Sequence, residues 1–85
     1  MKSNVFEIGL LHRYYLFIPK EIVRPFVDAK QSRIKIKAFN NDKSIEFYAA
    51  IRPDKNTGNY KVMFGKRLQK ELGVFQNDYF EMQLF

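Results

Sequence analysis

The sequence predicts a mainly β domain, a small barrel of six to seven strands with two short helices, built from two β–α–β units related by a pseudo-twofold axis. Three observations predict it. Apolar residues recur with the period of two that marks strands, or in short unbroken runs of strand length. Two polar, proline- or glycine-led segments interrupt them with helical spacing. Sliding the chain by 46 positions lays Tyr14–Phe39 on Tyr60–Phe85 without a gap, so the plan occurs twice. Eighty-five residues accommodate one core, and the whole chain, 1–85, reads as a single domain.

In chain order, Tyr14-Tyr15-Leu16-Phe17-Ile18 is an apolar run of strand length that Pro19 ends. Proline suits the first helical turn, where a missing N–H costs nothing. Pro19–Phe26 therefore reads as a short helix with Ile22 and Phe26 inward, kept short by Pro25. From Arg33 to Phe39, Ile34, Ile36 and Ala38 alternate with Arg33, Lys35 and Lys37, a half-buried strand whose basic outer row serves solubility. Asn40-Asn41-Asp42 is a turn, because Asn and Asp tolerate left-handed backbone. Ser44–Arg52 alternates again, with Ile45, Phe47, Ala49 and Ile51 inward, so these two strands form an antiparallel hairpin.

The longest polar break, Arg52 to Asn59, is an exposed loop. Tyr60–Phe64 follows as a strand and Gly65–Leu72 as a helix with Leu68 and Leu72 inward and Lys66, Arg67 and Lys70 projecting. Asn77-Asp78 turns the chain into a last strand with Phe80, Met82 and Leu84 on one face. The expected core is Leu16 or Phe17 with Ile22, Phe26, Ile34, Ile36, Phe47, Val62, Leu68, Leu72, Phe80 and Met82. The repeat rests on pattern more than identity. Its 26 pairs hold three identities (Tyr14/Tyr60, Lys20/Lys66 and Phe39/Phe85), but 11 apolar coincidences against about seven expected from 14 and 13 apolar residues. Neither half covers its own apolar face, and closing the strands into a barrel removes open edges.

Short motifs carry a resemblance. Phe17-Ile18-Pro19-Lys20-Glu21-Ile22 resembles the helix start of AbrB-like swapped-hairpin regulators. Leu72-Gly73-Val74-Phe75-Gln76-Asn77-Asp78 looks like their Leu-Gly-x-x-x-Gly-Asp turn, with Asn77 where the family has Gly. An AbrB-like chain carries one such unit and dimerises; this chain looks like both units in tandem. Two tandem groups are similar over most of its length. One is the uncharacterised bacterial double-split β-barrel family often fused ahead of OmpD-associated (YdeI-like) domains. The other is the DNA-binding pseudobarrel of plant auxin-response-type factors and restriction-endonuclease effector domains. Either resemblance implies a double-split or pseudo-barrel fold. The second implies two arms that grip the DNA major groove.

Composition narrows the chemistry. Cysteine is absent and His12 is the single histidine, so the chain supplies no Cys–His pair and no two-histidine metal site. Nine carboxylates are scattered among fifteen Lys and Arg with no acid–base spacing, and no glycine-rich phosphate loop occurs. The expectation is a non-enzymatic protein with no cofactor and no metal. No run approaches a membrane span and the N-terminus has no signal-like apolar stretch, so the chain reads as soluble and cytoplasmic, with no membrane partner.

The net charge of +6 favours a polyanion partner. The expected function is duplex-DNA binding through two loops and a basic surface. The loops are those before the two Tyr-led strands, expected on the same side of the barrel. Arg13, Arg52, Lys55, Asn56 and Asn59 are candidates to read base edges, and Lys20, Lys61 and Lys66 to meet phosphates. The alternative is a structural or protein-interaction barrel whose charge serves solubility, with a protein partner or a homodimer through Tyr15, Tyr48, Tyr79 and Phe85. A third reading is a fragment of a larger enzyme.

Overall fold

Pro19 and Gly65 each end a four-residue strand and open a short helix, and around these two junctions the chain builds the same unit twice. In the computed structural model, residues 5–26 and 33–85 are described. They form strands β1 (Val5–Gly9), β2 (Tyr15–Ile18), β3 (Arg33–Asn40), β4 (Lys43–Pro53), β5 (Tyr60–Met63) and β6 (Tyr79–Leu84). Helix α1 (Lys20–Val23) runs into a 3₁₀ turn at Arg24–Phe26, where Pro25 denies it another α-helical turn, and α2 spans Lys66–Leu72. The strand order is β1-β6-β3-β4-β5-β2, every pairing is antiparallel, and β1 comes into contact with β2. The result is a nearly closed barrel-like sheet with two short helices.

The ladders carry the pseudo-twofold into the register. Leu16 pairs with its own repeat counterpart Val62, and Lys37 with its counterpart Gln83, so the axis passes through these two pairs. Around the first, Phe17–Lys61 exchanges with Tyr15–Met63; around the second, Ile36–Leu84 exchanges with Ala38–Met82. The bonds just outside the ladders obey it as well. Phe64 donates its N–H to Tyr14 O at 2.7 Å, matching the Ile18–Tyr60 pair, and Phe85 donates to Lys35 O at 3.0 Å, matching Phe39–Glu81. β1 and β4 correspond through these shared partners: Gly9 lies beside Tyr79 as Ala50 lies beside Arg33.

Seventeen described apolar side chains form one buried cluster, with Phe64 the largest of those fully enclosed. The Phe64 ring stacks on Phe80 at 5.5 Å and meets Phe47 at 5.7 Å. Of the two strand phases open for Tyr14–Ile18, the one with Leu16 and Ile18 inward is realised, and Phe17 lies on the outer face. Ile34, Ile36, Val62, Leu72, Phe80 and Met82 are buried as expected. Ile22, Phe26, Phe47 and Leu68 are only half-buried: they pack against the core cluster from α1, the 3₁₀ turn, β4 and α2 and keep one side toward solvent.

β1 was not among the elements read from the sequence. Its inward residues are Phe6 and Ile8, but exposed Val5 and terminal Gly9 blur the alternation that would announce it. Both left-handed asparagines among the described residues fall in turns where asparagine was expected to allow them. Asn41 has φ 57° in the two-residue β3–β4 turn, and Asn77 has φ 80° where the resembled turn has Gly. Gly73 (φ 76°) ends α2, and Asn40 reaches across to donate its Nδ2 to Leu72 O at 3.0 Å and Gly73 O at 3.3 Å, satisfying carbonyls the helix end leaves open. Among the described residues no helix is long and apolar enough to cross a membrane.

Candidate nucleic-acid interface

The outer face of β4, β5 and β2 is set by strand alternation. With Ile51, Val62 and Leu16 inward, Arg52, Lys61 and Phe17 point out and stand in one row across the three strands, because Arg52 pairs with Lys61 and Lys61 with Phe17. The next row holds Met63 and Tyr15, themselves partners. Tyr48, further along β4, is 64% exposed and Met63 60%. Helix α2 closes one side of this face with Arg67 and Leu68, leaving a cavity of about 580 Å³. Arg52, Lys61 and Arg67 all line it, with Tyr15, Tyr48 and Met63, and among the described residues no carboxylate does. The Lys61 ammonium sits 4.8 Å from the centre of the Tyr15 ring, a cation–π contact that holds both side chains at the surface. The His12 ring lies 5.2 Å from Tyr15 and 6.0 Å from Phe17.

The two loops flank this face. The β1–β2 connection leads into Tyr15, opposite Met63, while the β4–β5 connection leads into Tyr60, opposite Ile18, so the loops occupy opposite ends of the β2–β5 ladder. The first is short and pinned. Tyr14 N–H donates to His12 Nδ1 at 3.1 Å, and buried Gln69 of α2 donates its Nε2 to Arg13 O and Phe64 O, both at 2.8 Å. Arg13 and Lys66 then flank the Tyr14 ring, each cation 5.9 Å from its centre. The second loop is longer and closes on itself. Asp54 N–H donates to Asn59 O at 2.7 Å and Gly58 N–H to Asp54 O at 2.9 Å. The Thr57 hydroxyl donates to the Asp54 carboxylate at 2.7 Å and accepts from Asn59 N–H at 3.2 Å. This turn, with Gly58 at φ 77°, leaves Lys55 and Asn56 exposed and Asn59 half-buried.

Of the residues singled out from sequence, the structure brings Arg52 and Lys61 together on the cavity and Arg13 and Lys66 together around Tyr14. Lys55, Asn56 and Asn59 belong to the opposite end of the ladder from Arg13. Lys20 starts α1, at the site related to Lys66 by the repeat, and is exposed. The face also recruits Arg67, Tyr15, Phe17, Tyr48 and Met63, which were not assigned there. For Arg67 the signal was its projection beside Lys66; for the others it was strand phase, which settles only with the register. The basic row of β3 is engaged locally: Lys35 pairs with Glu46 at 3.3 Å and lies 5.6 Å from the Phe85 ring, and Lys37 lies 5.3 Å from that of Phe39. Among the described residues no group of three or more His, Cys, Asp or Glu is placed to hold a metal ion.

Fold and site together define a small duplicated β-barrel with one basic, aromatic outer face. The chain matches no protein-family model, no curated protein and no solved structure.

Proposed function

We propose that this barrel is a non-catalytic nucleic-acid-binding domain that uses the β4–β5–β2 face and the loops at its two ends. The observation that carries the reading is the cavity on which Arg52, Lys61 and Arg67 converge with no carboxylate among the described residues that line it, continued past α2 by Lys66 and Arg13. Unopposed cations on one face focus positive potential and attract phosphates, and counterion release then supplies affinity. Duplex DNA is one form of this partner. It would meet Arg13 from one loop and Lys55, Asn56 and Asn59 from the other, with Lys20, Lys61 and Lys66 on phosphates. A mobility-shift titration at two salt concentrations tests the reading. Affinity should fall steeply with salt, and Lys66→Ala should flatten the slope by about one unit. Binding that is weak at physiological salt and indifferent to Arg52, Lys61 and Lys66 would count against it.

A second reading, a protein-interaction barrel, has a separate observation behind it. Phe75 is 75% exposed, and Tyr79 and Phe85 also stand in solvent, none of them lining the cationic cavity. Sedimentation of the free chain over a range of concentrations addresses self-association through them, and Phe75→Ser should abolish any dimer that forms this way.

A further inference from the structure

Resting on the nucleic-acid reading, we infer that the β4–β5–β2 face takes the unpaired bases of a single strand rather than an intact duplex. A duplex offers a protein phosphates, sugars and base edges; its base faces are buried in its own stack. A surface made for phosphates alone needs cations and polar groups. Here the cations stand around apolar groups instead. Tyr48 and Met63 are mostly exposed, Tyr15 and Phe17 present half-buried rings, and among the described residues no acidic side chain lines the cavity.

The arrangement is that of a stacking platform. Tyr15 and Phe17 are two residues apart on β2, hence on one face and roughly 7 Å apart along the strand. Lys61 lies diagonally over Tyr15, and Arg52 continues the row at the edge toward β4. Arg67 faces them from α2. Every base has a face to stack on a ring or thioether, while the surrounding cations follow the backbone, a combination that binds single strands with little sequence preference. Sheets of similar width stack two or three bases, and Tyr15, Phe17 and Tyr48 supply three rings. The loops fit the same picture. Standing at opposite ends of the β2–β5 ladder, they mark where a strand enters and leaves, and His12 of the first adds its ring beside Tyr15 and Phe17.

The test is a fluorescence-anisotropy titration of the full chain against four probes of equal length: single-stranded DNA, single-stranded RNA, duplex DNA, and a sugar–phosphate strand without bases. The single strands should bind at least about tenfold more tightly than the duplex and the base-free strand. They should also quench the tyrosine emission, which no tryptophan obscures. Tyr48→Ala and Tyr15→Leu should each weaken single-strand binding on the order of tenfold and leave duplex binding unchanged. Arg52→Gln should weaken both. The difference between the DNA and RNA strands reports whether the 2′-hydroxyl is read. If the duplex binds as well as the single strands, or the base-free strand does, the platform is refuted while the nucleic-acid reading stands. If no probe binds at physiological salt, both fall. Circular dichroism of each variant confirms that it folds.

Discussion

The first unit, β2–α1–β3, and the second, β5–α2–β6, superpose pair for pair in their ladders, yet they present opposite chemistry on the outside. Shared partners make Tyr48 the counterpart of Glu7, and the same frame carried past the ladders makes Arg52 the counterpart of Leu11. The repeat makes Arg67 the counterpart of Glu21. A ring and two cations at the cavity thus correspond to two carboxylates and a leucine at the related place. Only Tyr15, Phe17, Lys61 and Met63, which straddle the axis itself, belong to both. The inward positions diverge less: Leu16 and Val62, Ile18 and Phe64, Ile36 and Met82 are buried in each pair. Core shape constrains what a duplicated barrel can change, whereas its surface is free to specialise. One face becomes a candidate site while the other does not.

The largest differences in side-chain size inside the core are Ile18 against Phe64 and Ile34 against Phe80. Phe64 is stacked on Phe80 and in contact with Phe47, so Phe64→Ala removes ring contacts on both sides and should cost about 3–5 kcal/mol. Ile18→Ala should cost less, roughly 2–4 kcal/mol. Phe80→Ala should resemble Phe64→Ala, because it opens the same stack. For a domain of this size each aromatic loss removes a large part of the total stability. Urea midpoints give the ranking. Equal midpoints for Phe64→Ala and Ile18→Ala would mean that the two halves of the core are energetically alike despite the rings.

Next comes Gln69, buried where the first unit has Val23. Its amide bridges the β1–β2 loop and the end of β5. Gln69→Val, which copies the first unit, leaves carbonyls of Arg13 and Phe64 without that donor and should cost about 1–3 kcal/mol. It should also loosen the Arg13 loop, visible as faster amide exchange at Arg13 and Tyr14. Unchanged exchange with a full stability loss would place the role of Gln69 in packing alone.

How far the molecule was legible in its sequence follows the same division. The helices, the β3–β4 hairpin, the left-handed Asn77 turn and the repeat all rest on local signals, the placing of proline, glycine and asparagine and the alternation of apolar residues, and these lie in neighbouring positions. β1 escaped because Val5 is exposed and Gly9 carries no side chain to read. The site was half legible. Arg52, Lys61 and Lys66 stand out as basic residues near loops. The platform does not, since it joins Tyr15 and Phe17, Tyr48, Met63 and Arg67 from four segments. Whether Leu16 or Phe17 faces outward is a one-residue change of phase that only pairing with β5 decides.

Exchanging charges across the axis sharpens the functional side of the comparison. Arg67→Glu with Arg52→Leu gives the second face the residues of the first and should lower the salt slope of nucleic-acid binding by about two units. Glu21→Arg with Leu11→Arg works in the other direction and should steepen it, while leaving the tyrosine quench of the single-strand complex in place. A slope that responds equally to charges on either face would show that net charge, and not the cavity, governs binding.

The smallest effect concerns Gly9 and its counterpart Ala50. A Cβ built on Gly9 would lie 2.7 Å from Cε2 of Tyr79, whose ring lies over the glycine, whereas Ala50 sits beside Arg33 and keeps its methyl. Gly9 has no left-handed φ, so nothing in the backbone forbids alanine. Tyr79 is mostly exposed and can swing outward. The entropy that Gly9→Ala removes from the unfolded chain, about 0.4–1 kcal/mol, is therefore offset by displacing the ring, and the single variant should differ little from the parent. In a Tyr79→Ser background the obstacle is gone, and Gly9→Ala should stabilise by about 0.4–1 kcal/mol, read as a shift in the urea midpoint at constant slope. Destabilisation in both backgrounds would mean that closure against β6, rather than the tyrosine ring, demands glycine in β1. The two edge-to-edge seams, β1 with β6 and β4 with β3, would then differ in backbone as well as in surface.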